Sequence, residues 1–132
     1  MEEGDITPNA VHDQDLTVYI IVNNDLKMSE GKIHSQVGHA IVGLILFHLR
    51  EEKGHMEKLQ NWVGKGERII SLQGSSKDFG KIKKDFQGTG LYCNEIRDAG
   101  LTEVGPGSKT VFIIGPGDIK TLSTYFKDYS LY

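Results

Sequence analysis

Lys32, Gln36 and His39 are spaced so that a helix, turning about 100° per residue, aligns them in one narrow stripe, with Gly43 extending the row. A cation, an amide and an imidazole set out in this way can polarise a carbonyl, hold an oxyanion or carry a proton. A second concentration of reactive types lies between Arg97 and Thr110, where Asp98, Thr102, Glu103, Ser108 and Thr110 stand among glycines and a proline. A lysine at a helix start and a carboxylate at a strand end are groups that an α/β sheet commonly brings to one crevice. Each group also has a plainer use: glycines in such a loop serve ordinary turns, and His39 can simply hold a loop carbonyl.

The stripe sits beside an apolar face. Ile33, Val37, Ala40, Ile41, Leu44, Ile45 and His48 follow the i, i+3, i+4, i+7 spacing of a core-packed helix, predicted from Glu30 to Lys53 with Ser29 as its N-cap. Before it, Thr17 to Val22 (TVYIIV) lacks polar alternation, which predicts a strand covered by helices on both faces. His55 to Val63 reads as a short helix over one end of the sheet, Arg68 to Leu72 as a second strand, and a third helix begins at Ser75 with Phe79, Ile82 and Phe86 on its inner face. Lys77, Lys81 and Lys84, flanked by Lys83, form a basic ridge on that helix, either a solvated face or a contact for phosphates. Leu91 to Ile96 and Thr110 to Ile114 read as the last two strands. The connection between them lacks the periodicity of a crossover helix, so they are predicted antiparallel and the sheet mixed. Gly115-Pro116-Gly117 is predicted to break the chain before a final helix that packs Ile119, Leu122, Phe126 and Tyr129 on the sheet. The expected fold is α/β: a single domain with a four-stranded mixed sheet and helices on both faces.

The 132 residues are 38% hydrophobic, enough for one domain with its own core. Residues 1–15 read as a disordered acidic tail and 16–132 as the folded domain: the tail holds Glu2, Glu3, Asp5, Asp13 and Asp15 and no base. Without it the formal charge of −3 becomes 15 basic against 13 acidic residues, too even to announce nucleic-acid binding by bulk charge. One cysteine, Cys93, excludes an internal disulfide, and the longest apolar run, Ala40 to Leu49, is ten residues against the ~20 that span a bilayer. A cytoplasmic protein is expected.

Spacing also removes alternatives. Neither GxGxxG nor GxxxxGK[ST] occurs, so no standard phosphate loop is indicated. His34 and His39 are five apart and cannot share a metal from one helix face as an i, i+4 pair would, so no metal is expected. Cys93 in its apolar strand reads as core, His48 as a satisfied core histidine, and Ser35 has no matched base.

Two motifs, DLKMSEGKIHSQVGHAIVGL and, some sixty residues later, IRDAGLTEVGPGSKTVFIIGPG, resemble the peptidyl-tRNA hydrolases of the archaeal and eukaryotic type, a family unrelated to the bacterial enzyme of that name. The resemblance extends from about Thr17 to Leu131 and implies a four-stranded mixed sheet flanked by helices. It implies hydrolysis of the ester between a peptide and the 3′ ribose of tRNA, recycling tRNA from stalled translation, with peptidyl-tRNA as partner and no cofactor. The family's functional lysine falls on Lys32, its glutamine on Gln36, its histidine on His39, its aspartate on Asp98 and its loop threonine on Thr102; Ser108 and Thr110 match the segment that follows. On this reading Asp98 orients water, Lys32 stabilises developing negative charge and Thr102 adds a hydrogen bond, while Lys27, Lys109, Lys81 and Lys84 grip the tRNA backbone. Some relatives pair as homodimers, though no segment here marks a dimer face. The chain departs from the family's GKIAAQCSHA at His34, Ser35, Val37 and Gly38, and from GRTQI at Leu101 and Glu103. Loss of the loop arginine and gain of an acid weaken the expected grip on tRNA and keep an alternative open, a non-catalytic RNA- or protein-binding module retaining the fold.

Overall fold

The computed structural model describes residues 15–51, 54–100, 104–105 and 107–132. Among these, strands β1 (Leu16–Asn23), β2 (Ile69–Gly74), β3 (Cys93–Arg97) and β4 (Lys109–Asp118) form one mixed sheet in the order β2-β1-β4-β3. β1 pairs parallel to β2 and antiparallel to β4, and β4 pairs antiparallel to β3, as the lack of a crossover helix predicts. Residues 1–14 of the proposed acidic tail and Leu101, Thr102 and Glu103 lie outside the described residues.

Helices α1 (Glu30–Arg50) and α2 (His55–Gly64) cover one face, and α3 (Ser76–Asp85) and α4 (Ile119–Tyr125) the other. The strictly apolar β1 is buried along its whole length because its side chains enter both cores in turn: Val18, Ile20 and Val22 on the α1 side, Tyr19 and Ile21 on the other. α1 starts where predicted, with Ser29 Oγ accepting from the Lys32 backbone N–H at 3.1 Å, and ends at Arg50, three residues short of the expected Lys53. Its buried residues, Ile33, Gln36, Ala40, Leu44 and His48, show an inner face that takes in Gln36. Truncating the fully buried Leu44 to alanine would cost about 2–5 kcal/mol.

The one clear departure from the predicted elements is at Gly115-Pro116-Gly117. β4 runs straight through it to Asp118, pairing Gly117 with Thr17 and Asp118 with Leu16. A register shift between Thr17 and Tyr19 makes this possible, since a bulge is where a strand tolerates a proline. A Cβ on Gly115, whose φ is +127°, would stand 2.7 Å from the Thr17 carbonyl oxygen, so only glycine fits this close approach. The sheet's two outer edges differ. The C-terminal segment covers β2, with Gln73 N–H donating to Ser130 O and Tyr132 N–H to Ser71 O, both at 2.9 Å. No strand among the described residues pairs with the outer edge of β3.

Candidate active site

Asp98 follows directly on β3 and opens the loop to β4. Its backbone closes that loop, with Asp98 N–H donating to Ser108 O and Gly107 N–H to Asp98 O, each at 2.8 Å. Its side chain turns inward. One carboxylate oxygen, Oδ2, accepts from Gly100 N–H at 2.6 Å, and the other, Oδ1, forms an ion pair with Lys32 Nζ across 66 residues of sequence. The two side chains are 2% and 9% exposed, so this pair is shielded from water as surface pairs are not.

Lys32 stands in the first turn of α1, where the helix dipole favours an acid and disfavours a cation. A lysine there is a local conflict, and the Asp98 carboxylate is the tertiary partner that resolves it. In return the Lys32 ammonium, aided by the Gly100 N–H, holds the Asp98 carboxyl below its ordinary value, against burial, which pushes it up. Asp98 is therefore an anion throughout the neutral range. The ammonium carries three protons and the pair uses one, leaving donors for a second oxygen.

Below this pair lies a buried polar link. A register shift between Ile96 and Arg97 leaves Thr110 as an extra residue of β4 and turns its hydroxyl to Ile96 O, 3.1 Å away, and to the Gln36 amide, 3.0 Å away. The hydroxyl faces two acceptors, Gln36 Oε1 and Ile96 O, which share its one proton. Gln36 and Thr110 thus fasten α1 to β4 one helical turn from Lys32.

The remaining sequence-derived candidates are spread more widely. His39 and Lys27 are exposed, His39 two helical turns, or about 10 Å, along α1 from Lys32. Ser108 is half-buried in the Asp98 loop, and Lys109 approaches Glu95 at 3.7 Å, a carboxylate that Arg97 also holds at 2.7 Å. Lys81 and Lys84 are on α3, on the opposite face of the sheet from α1. Lys81 Nζ is bound to Asp85 at 2.7 Å and to Tyr125 Oη at 3.3 Å.

Asn23 is a residue that sequence reading passed over. Buried at the end of β1, it donates through Nδ2 to Lys109 O at 2.8 Å and to Ser76 Oγ at 2.9 Å, and accepts from Asp25 N–H at 2.9 Å. It ties the start of β4 and of α3 to the strand beside the site. The available signal was a single amide closing an otherwise apolar strand.

The description "Peptidyl-tRNA hydrolase PTH2" belongs to a family model that matches residues 16–132, the whole sheet and all four helices. This chain belongs to the peptidyl-tRNA hydrolase PTH2 family. A peptidyl-tRNA hydrolase of Methanococcus maripaludis (strain C7 / ATCC BAA-1331) is 36% identical over 113 residues, covering 85% of this chain and 95% of the relative. One of Sulfolobus acidocaldarius is 35% identical over 116 residues, covering 85% and 96%, and one of Staphylothermus marinus 34% identical over 112 residues, covering 85% and 91%. The PTH2 match contains both segments that form the Lys32–Asp98 pair.

Proposed function

We propose that this chain is an esterase that cleaves the bond between a peptide and the 3′ ribose of tRNA, and that Lys32 and Asp98 carry the reaction. The observation behind this reading is a shielded lysine–carboxylate pair, joined from two distant segments, in a member of the PTH2 family. Ester hydrolysis needs an oriented water and a donor for the carbonyl oxygen as it becomes negative. Asp98, held anionic, is a weak base, so its role is to orient the water through a free lone pair. Lys32 offers its remaining protons to the carbonyl oxygen. Water adds to the ester carbon and gives up a proton to solvent, the tetrahedral oxyanion collapses with cleavage of the carbon–ribose oxygen bond, and the departing ribose oxygen takes a proton back from solvent, leaving a free acid and a ribose hydroxyl. Gln36 and Thr110 act by positioning α1 against β4, while Thr102, Ser108 and His39 serve the substrate. Lys27, Lys109, Lys81 and Lys84 supply phosphate contacts, which suit a substrate recognised by backbone and shape.

Among the described residues no helix is long and apolar enough to cross a membrane, and a translation substrate supports a cytoplasmic location. The homodimer some relatives form is checked by sedimentation of the purified chain.

The test is release of free tRNA from N-acetyl-aminoacyl-tRNA by the purified protein beside Lys32→Ala and Asp98→Asn, each checked for folding by circular dichroism. Turnover in the wild type, lost in both folded variants, is the expected result. No turnover in the wild type, or undiminished turnover in either variant, overturns it.

A further inference from the structure

A cavity of about 980 Å³ lies away from the Lys32–Asp98 pair, near the start of β3, at the edge of the sheet with which no described strand pairs. Phe47 and Tyr92 wall it from the α1 side, Phe86 from the α3 side, and Lys83 and Lys84 stand over it. The Phe47 and Tyr92 rings are 4.7 Å apart between centroids, and His55 closes edge-on against Phe47 at 5.1 Å. Among the described residues no carboxylate lines the cavity, and neither lysine is in an ion pair.

This cavity and the ion pair belong to one continuous feature. α1 runs antiparallel to β3: Lys32 meets Asp98 at one end, and at the other a Cβ on Gly43 would stand 3.5 Å from Tyr92 Oη, with Phe47 against the same ring. Fifteen residues of helix and six of strand both measure about 20 Å. The edge of β3 is therefore a track with a reactive pair at one end and a basic aromatic chamber at the other.

We infer that the chamber formed by Phe47, Phe86, Tyr92, Lys83 and Lys84 seats a base and phosphate of the single-stranded 3′ end of the tRNA, a few nucleotides from the ester held at Lys32 and Asp98. The inference rests on the proposed esterase reading. Charge decides the occupant: unpaired ammonium groups beside aromatic rings match an anionic backbone carrying flat bases, the combination by which single strands are bound. A peptide paired along β3 would use backbone hydrogen bonds and leave both ammonium groups without a counter-charge. Lys84 of the basic ridge thereby has a definite role, and Lys83, earlier only its flank, joins it. Lys81, bound to Asp85 and Tyr125, does not.

Cys93, the chain's one cysteine, lines the chamber and reports on its occupancy. The experiment follows alkylation of Cys93 by a maleimide in the full-length protein with a short oligoribonucleotide ending in CCA, with an acetylated peptide, or with neither, at several protein concentrations. Oligoribonucleotide affinity is measured in parallel by fluorescence anisotropy across salt. Protection by the oligoribonucleotide alone is expected. Lys83→Ala/Lys84→Ala should lower the slope of log affinity against log salt by about 1.4, Lys83→Arg/Lys84→Arg should restore it, and Tyr92→Leu should weaken binding about tenfold. Protection by the peptide instead, protection that grows with protein concentration as a second copy would give, or unchanged RNA affinity in the folded lysine variant overturns the inference. Peptidyl-tRNA turnover by the same wild-type preparation separates the two readings. Absent turnover counts against the esterase, and turnover with no effect at the chamber counts against the chamber alone.

Discussion

Two lysine–aspartate pairs in this molecule have the same chemical groups and opposite settings. Lys81 and Asp85 are four residues apart on α3, 64% and 37% exposed, and their pairing follows from helix geometry alone. Lys32 and Asp98 are 66 residues apart, nearly closed to water, and meet only because α1 packs on the sheet face formed by β3 and β4. Water screens the first pair, so it contributes little to stability. The second works in a low-dielectric pocket, where each charge strongly affects the other and any substrate oxygen brought near. Chemistry needs the second arrangement. The first lies on the exposed face of α3, where Tyr125 adds its hydroxyl through a 2.6 Å bond to Asp85.

The contrast can be broken by substitution. The largest effect is expected at the buried pair: if Lys32 donates to the oxyanion as proposed, Lys32→Ala should lower single-turnover tRNA release about 10²–10³-fold. Asp98→Asn keeps the shape and should lose a comparable factor. The next concerns the link beneath the pair. Thr110→Val conserves volume but leaves the Gln36 amide and Ile96 carbonyl without their partner, which should lower stability by about 1–3 kcal/mol in urea unfolding, with a smaller loss of turnover than at Lys32.

A third prediction sharpens the electrostatic side. The folded-state carboxyl of Asp98 lies below its unfolded value, so the stability it contributes is complete above about pH 4 and is lost as pH falls towards the folded value. In Lys32→Met the main cause of the depression is gone while burial remains. The Asp98 midpoint, followed by carboxyl carbon NMR, should rise, and its share of the acid-induced loss of stability should shrink or reverse. The smallest effect belongs to the exposed pair: Lys81→Ala should leave the thermal midpoint close to wild type, and sodium chloride should not separate the two proteins. A shift as large as that of Thr110→Val would mean that exposure is not what distinguishes the pairs.

Much of this could be read without coordinates because it is local. Apolar spacing located α1 and its cap at Ser29, and the unbroken apolar run of β1 required helices on both sheet faces. Composition misled at Gly115-Pro116-Gly117, since these residues usually end a strand. Here a bulge against Thr17 keeps the strand going, and bulges depend on the partner strand. The same limit applied to Gln36. Its place on the helical wheel put it at the edge of the apolar face, and only the inward turn of Thr110, set by the shift between β3 and β4, gave it a reason to be buried.

By itself the sequence determined which residues could react, which helix would carry Lys32 and which loop Asp98, and, through two long motifs, the family. Those depend on residue type and short-range periodicity, which are written along the chain. The tertiary structure alone decided that Lys32 and Asp98 touch, that Gln36 braces them through Thr110, and that no described strand pairs with the edge of β3 beside Lys83 and Lys84. Each of these depends on strand order and register, which are set when distant segments compete to bury the same apolar surface.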